Sequence, residues 1–325
     1  MRDAERTPDA VCVGETMAVL LPDRPGPLED VEAFTSSVGG AESNVARGLA
    51  ALGVPAAWVG RVGDDGFGRR VVRALDAAGV DTSHVAVDPR RPTGLYVKET
   101  GHDGGRLHYY RAGSAASALG PDLLDGPAGP VLRDAPLVHL TGILPALSDS
   151  ALELTAALLR RAGTVSFDFN WRPALWHDRD PRLLLPLLDA ADITLLGADE
   201  GEAAFGVGDL AGLRALLPGP RYLVVKDGAR GATVLTRDGT AVTEPALKVD
   251  VVDHIGAGDA FAAGYLAGTL RGYDLRRRLR LGHVAAAATL VVPGDHGPPP
   301  PPDRVAELLA ATPERWAATT VRGTT

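Results

Sequence analysis

The chain has 325 residues, 45% of them hydrophobic and 23% charged, and its 41 acidic side chains outnumber 33 basic ones for a formal charge of −8. That composition is ordinary for a globular protein, and the acidic balance argues against a nucleic-acid or anionic-membrane surface. Any phosphate bound here must be held by local groups and a metal cation.

Length alone allows two domains, or one α/β domain with an insertion. The lone cysteine, Cys12, lies in the apolar run Val11-Cys12-Val13, where it reads as a small core residue and offers no disulfide framework. No apolar run is long enough to span a bilayer. The charged first ten residues lack the apolar stretch of a signal peptide, so a cytoplasmic protein is expected.

In chain order, residues 10–15 predict a strand, and a second apolar run extends to Leu21 before a Pro/Gly loop, 22–27. Val38-Gly39-Gly40-Ala41-Glu42-Ser43-Asn44 then leads into a helix predicted over 45–52. Gly39 and Gly40 let a ligand lie against the backbone, and Asn44 offers both a donor and an acceptor; a plain tight turn explains the same residues about equally well. A strand at 56–61, a Gly-Asp turn at 63–66 and a helix at 69–78 continue as βαβ units of a parallel sheet. The glycines between Gly60 and Gly68 have the wrong spacing for a dinucleotide fingerprint, and that reading is rejected.

Residues 93–112 break this rhythm. Two strand-like segments flank the turn Gly101-His102-Asp103-Gly104-Gly105, which is a β-hairpin signature. A hairpin between α/β units reads as a lid or an oligomer contact, with Tyr96, Tyr109 and Arg111 projecting where the lid meets a cleft. Packing of the aromatic hairpin on itself is the alternative.

The α/β pattern then resumes with strands at 137–140, 164–170, 192–196 and 221–228, and helices at 149–161, 181–190 and from 199. Asp168, Asn170 and Arg172 fall at the C-terminal end of a parallel strand, where α/β folds bind ligands. Glu200 opens a helix, where acidic residues usually complement the dipole. Lys226 is one of only three lysines, with Lys98 and Lys248. Helices are expected at 275–292 and 303–311, the latter positioned by the prolines 298–302, and the tail beyond Thr312 is expected to be loose.

The most specific stretch is Asp253-His254-Ile255-Gly256-Ala257-Gly258-Asp259. A strand is predicted before it over 247–252 and a small-residue helix after it over 260–270. Glycines remove Cβ atoms so that an anion can approach the main chain, and the free N–H groups at a helix start would hold it. Asp259 then stands beside the bound anion, where a substrate hydroxyl would be aimed. This is the geometry of phosphoryl transfer, and an aspartate at a helix start is expected to have a low pKa.

Two signatures identify a resemblance covering nearly the whole chain. They are Gly39-Gly40-Ala41-Glu42-Ser43-Asn44-Val45-Ala46, continued by Gly60-Arg61-Val62-Gly63-Asp64-Asp65, and Asp253-His254-Ile255-Gly256-Ala257-Gly258-Asp259-Ala260-Phe261. In this order and separation they are similar to those of the ribokinase-like (PfkB) carbohydrate kinases. Narrower markers resemble the 2-keto-3-deoxygluconate kinases of that family: Thr93-Gly94-Leu95-Tyr96, Tyr109-Tyr110-Arg111-Ala112-Gly113-Ser114, Thr141-Gly142-Ile143, Asp168-Phe169-Asn170-Trp171-Arg172-Pro173 and Gly294-Asp295. An arginine fork suits the carboxylate of a sugar acid, which neutral-sugar kinases have no need to bind.

The resemblance implies a three-layer α/β/α fold with a mostly parallel central sheet and a small β lid. A single kinase domain is expected over 10–311, its lid built from about 12–38 and 92–112, between loose ends at 1–9 and 312–325. It further implies ATP and Mg²⁺, with Asp259 as base and Gly256, Ala257 and Gly258 as the anion hole. Gly40, Tyr96, Tyr109, Arg111, Ile143, Arg172 and Asp295 would line the sugar-acid site, Lys226 and Gly228 the ATP groove, and Glu200 would organise Mg²⁺ through water. The chain departs from the family pattern at Gly197, where an asparagine is usual, and at His254, where a threonine is usual. Phosphorylation of the 6-hydroxyl of 2-keto-3-deoxygluconate is therefore expected. A fructokinase or other keto-deoxy-acid kinase, and a catalytically silent sugar-binding regulator, stay open. The hairpin further implies a homo-oligomer assembled through the lid.

Overall fold

A computed structural model describes residues 7–101, 104–176, 179–298 and 300–323. The expected turn residues His102 and Asp103, the proline Pro299, residues 1–6 of the N-terminus and 324–325 of the tail lie outside them.

The centre of the molecule is an eight-stranded sheet, in spatial order Ala241–Glu244, Ala232–Thr236, Tyr222–Lys226, Ile193–Gly197, Thr164–Asp168, Leu137–Thr141, Ala10–Val13 and Ala56–Val59. The last six run parallel, and the first two join antiparallel at one edge. Alternation of side chains divides each strand between two cores. Ala10, Cys12 and Trp58 pack with the helices Ala41–Ala51, Ala257–Leu270 and Leu275–Leu290. Val11, Val13 and Val59 pack on the opposite side with Asp149–Leu159 and Leu210–Leu216. Both faces are covered, which is why the central strands read as continuous apolar runs. The result is the expected three-layer α/β/α fold.

A second, four-stranded sheet forms the lid, in the order Phe34–Gly39, Met17–Pro22, Leu95–Gly101 and Gly104–Tyr110. The hairpin pairs Tyr96 with Tyr109 and Lys98 with Leu107, and a small core of Met17, Val19 and Tyr96 holds the sheet together. Cys12 and Val13 belong to the central sheet, so the lid begins at Met17 and not near residue 12. No described helix is long and apolar enough to cross a membrane.

Three further expectations need correction. The segment 247–252 contributes only Lys248–Val249 as strand, paired with Thr320–Val321 outside the central sheet. Val251 and Val252 are exposed, because the alternating pattern here has no second neighbour to bury it.

Second, the tail is not loose where it is described. Residues Pro313–Ala318 form a helix, capped by the Thr312 side chain accepting from the Arg315 amide. It inserts Trp316, fully buried, beneath the Arg280 guanidinium, and the indole N–H donates to the Pro245 carbonyl at 2.8 Å. Third, the helices at the two signature motifs start earlier than periodicity predicts, at Ala41 and Ala257. The added residues, Ala41-Glu42-Ser43-Asn44 and Ala257-Gly258-Asp259, are small or polar and extend each helix without continuing its apolar periodicity.

Candidate active site

A cleft of about 1660 Å³ runs between the lid and the C-terminal ends of the parallel strands. Of the residues singled out in the sequence, Gly40, Asn44, Tyr96, Tyr109, Arg111, Ile143, Arg172, Glu200, Lys226, Gly228, Gly256, Gly258, Asp259 and Asp295 all line it, as does His254. Gly39, Asp168 and Ala257 do not. Gly39 sits behind the lining, where a Cβ would come within 2.6 Å of the Tyr96 hydroxyl and 2.7 Å of Asp295 Oδ2. Ala257 is the first residue of the helix that Gly256 caps.

The floor is built on Asp259, the third residue of the helix Ala257–Leu270. The preceding Gly256 adopts φ 78°, and a Cβ there would collide with the Asp295 carbonyl, so this turn requires glycine. The first amides of a helix have no intrahelical acceptor, and here they open beside Gly258, which is exposed to the cleft. The Lys226 ammonium lies 3.7 Å from where a Gly258 Cβ would be. Turn, dipole and ammonium together form a place for a phosphoryl group.

Two asparagines hold the Asp259 carboxylate. Asn44 donates to Oδ2 at 2.9 Å and Asn170 to Oδ1 at 3.2 Å, and Asn44 also reaches Asp295 at 3.3 Å. Asn170 has φ 37°, the only left-handed non-glycine residue among those described. Strained backbone of this kind is concentrated at functional sites. Asn44 Oδ1 and Asn170 Oδ1 are buried without a partner.

The expected low pKa of Asp259 is overturned. Burial, reinforced by the charge of Asp168, outweighs the Asn44 bond and the attraction of Arg172 and Lys226, raising the carboxyl to about 7. Glu42 lies fully buried and is likewise raised to about 7, chiefly by burial. It accepts from the Thr141 hydroxyl at 2.6 Å, and Thr141 in turn accepts from the Ile143 amide at 3.1 Å.

Several partners of the predicted residues were not foreseen. Lys226 donates to both oxygens of buried Asp168 at 2.9 Å. Burial opposes its charge, but Asp168, Glu200 and Asp259 prevail and hold the ammonium above its ordinary pKa. Arg111 is ion-paired with Glu15, which is 2% exposed and also accepts from Ser114 at 2.6 Å. Glu15 follows the strand Ala10–Val13 as Asn170 follows its own, so the strand-end rule that flagged Asn170 would have found it. Arg111 Nε remains buried without a partner.

Glu200 accepts the Gly197 amide at 2.7 Å and the Trp171 amide at 2.9 Å, so both of its oxygens are engaged in capping and in fixing the Trp171 backbone. No group of three metal-ligating side chains occurs among the described residues.

The chain matches the description "pfkB family carbohydrate kinase" over residues 7–301. It is 40% identical to a 2-dehydro-3-deoxygluconokinase of Thermoproteus tenax across 95% of this chain and 96% of the relative. A Bacillus subtilis (strain 168) protein of the same name is 36% identical, with coverages of 93% and 96%. Among solved structures, a PfkB protein from Polaromonas sp. JS666 superimposes with a TM-score of 0.81 at 34% identity, covering 94% of this chain and all of that one.

Proposed function

The chain belongs to the pfkB family of carbohydrate kinases, and from that premise we propose that it transfers the γ-phosphoryl group of ATP to the 6-hydroxyl of 2-keto-3-deoxygluconate. The observation that carries this reading is the convergence on one cleft of an anion-binding turn, a buried carboxylate and two arginines. Asp259 accepts the proton of the hydroxyl as its oxygen bonds to phosphorus and the bond from phosphorus to the ADP oxygen breaks. Phosphoryl transfer has a loose transition state in which the proton leaves late, so alignment matters more than base strength. A carboxyl titrating near 7 accepts that proton readily, and the two asparagines fix its orientation. Gly256, Ala257, Gly258 and Lys226 stabilise the charge on the transferring group.

At the sugar end, Arg111 and Arg172 face the carboxylate, and Asn44, Asn170, Tyr96, Tyr109, Ile143 and Asp295 enclose the chain of the sugar. Gly228 follows Lys226 along the nucleotide side of the cleft. Mg²⁺ accompanying ATP supplies charge neutralisation at the phosphates. Glu200, whose oxygens each receive one amide, would hold that ion through a water molecule. The exposed lid aromatics Phe34 and Tyr110 support a homo-oligomer assembled through the lid, which light scattering would register as a mass above that of the monomer.

Pairing of Arg111 with Glu15 removes one net positive charge from the sugar end, and this favours a neutral ketose as the second reading. A coupled ADP assay across 2-keto-3-deoxygluconate, its galactonate epimer, gluconate and fructose separates the two. Turnover highest with a keto-deoxy acid is expected. Turnover of fructose alone would refute the sugar-acid reading, and no turnover with any sugar would refute the kinase reading.

A further inference from the structure

Lys98 and Asp253 stand 155 residues apart in sequence and meet in an ion pair of 2.8 Å. Lys98 belongs to the lid strand Leu95–Gly101, two residues after Tyr96, so both side chains leave the same face of the lid. Tyr96 is buried over Gly39 and Asp295 at the sugar end of the cleft. Lys98 reaches instead to the start of the anion-binding turn. The Asp253 carboxylate also accepts the Ile255 amide at 3.1 Å and the Gly294 amide at 3.2 Å.

One carboxylate thus ties three pieces of chain together: the lid, the turn that ends in Gly256, and the loop that carries Asp295. The paired side chains are 21% and 16% exposed, which shields them from solvent more than a surface bridge. Burial tends to raise the Asp253 carboxyl, and the Lys98 and amide bonds overcome it, leaving the group below the ordinary carboxylate range.

We propose that the Lys98–Asp253 ion pair is a latch that couples closure of the lid over the sugar to the shape of the anion-binding turn. The proposal rests on the kinase reading above. Neither side chain touches the reacting atoms; both are positioning residues. Nucleotide that orders the turn thereby favours the closed lid, and sugar that closes the lid favours nucleotide, because coupling between sites is reciprocal. Without the latch the two ends of the cleft respond independently. A role limited to stabilising the lid would weaken both ligands and leave their mutual effect unchanged.

The test combines two measurements on the full chain and on Lys98→Met, with Lys98→Gln as a second neutral variant and Lys98→Arg as the conservative control. Hydrogen exchange of the lid strand Leu95–Gly101 is followed with and without the non-hydrolysable nucleotide AMP-PNP and Mg²⁺. The Kd of AMP-PNP is then measured with and without 2-keto-3-deoxygluconate. In the unmodified protein, nucleotide should slow lid exchange, and sugar should tighten nucleotide about tenfold.

In the neutral variants both effects should vanish while nucleotide affinity without sugar stays within about twofold, and Lys98→Arg should restore most of the coupling. Unchanged coupling in the neutral variants, or no lid response in the unmodified protein, overturns the latch. Failure of the sugar-acid reading shows separately: no ADP is released with any sugar acid, although the lid still responds to nucleotide alone.

Discussion

Replacing Asp259 by asparagine should make the protein more stable and nearly inactive, with the gain in stability depending on pH. The carboxyl is buried and shifted from an ordinary 3.8 to about 7. A raised folded-state pKa in an acid gives a contribution that is fully present below pH 3.8 and lost as pH rises through 7. Above that, the folded protein carries an ionised carboxylate at a cost. At about 1.4 kcal/mol for each pH unit, the gap corresponds to about 4 kcal/mol at pH 8.

Asparagine removes the charge, but its amide must then meet the two amides that now donate to Asp259. Rotating Asn170 turns its partnerless Oδ1 towards the new N–H and recovers one bond, so a net gain of about 2–4 kcal/mol is expected. Urea unfolding of both proteins without ligands at pH 5, 6, 7 and 8 measures it. The difference should be small at pH 5 and grow through 7. Glu42 is present in both proteins and largely cancels. Loss of the Asp259 charge relieves its repulsion of Glu42, which adds to the gain. In the coupled assay, kcat should fall about 10²–10⁴-fold with ATP binding nearly intact. A stability difference that is flat with pH would refute burial of the charge, and a near-normal kcat would refute the base.

Two further predictions concern groups whose neighbours emerged only from the fold. Arg111→Ala leaves Glu15 buried and unpaired, so it should lose about 3–5 kcal/mol of stability. The double variant Glu15→Gln/Arg111→Met should recover most of that, yet its kcat/KM for the sugar acid should stay depressed relative to fructose. Equal losses on the two sugars would show that Arg111 does not bind the carboxylate. Trp316→Ala empties a fully buried site and strands the Pro245 carbonyl, for an expected loss of about 3–5 kcal/mol in urea unfolding. A loss under about 1 kcal/mol, the scale of a surface change, would mean that the tail does not pack on the domain.

What could be read from the sequence was local. The anion-binding turn is a spacing of glycines and one aspartate, and the hairpin is a pattern of alternation around a Gly-rich turn; each is complete within one short stretch of chain. The segment 247–252 carries the same alternation as a half-buried strand, and nothing within it reveals that its neighbour is Thr320–Val321 at the far end of the chain. The tail beyond Thr312 looks polar, and one buried indole suffices to order it. Local polarity averages over such a residue, whereas packing depends on it alone.

The electrostatics of the cleft failed to be legible for the same reason. A helix start argues for a low pKa at Asp259, and the argument is sound for an exposed end. Its Asn44 partner lies 215 residues away and its Asn170 partner 89, and the burial that reverses the sign comes from bringing those segments together. Arg111 shows the converse. Its residue type alone suggests a free carboxylate ligand, but Glu15 takes part of its charge. On the proposed sugar-acid reading, preference for an acid over a neutral sugar depends on the balance between Arg111, Glu15 and Arg172, and a count of arginines cannot decide it. For that reason the double variant at Glu15 and Arg111 is the sharper probe of specificity: it removes the proposed substrate contact without leaving a buried charge to confuse stability with binding.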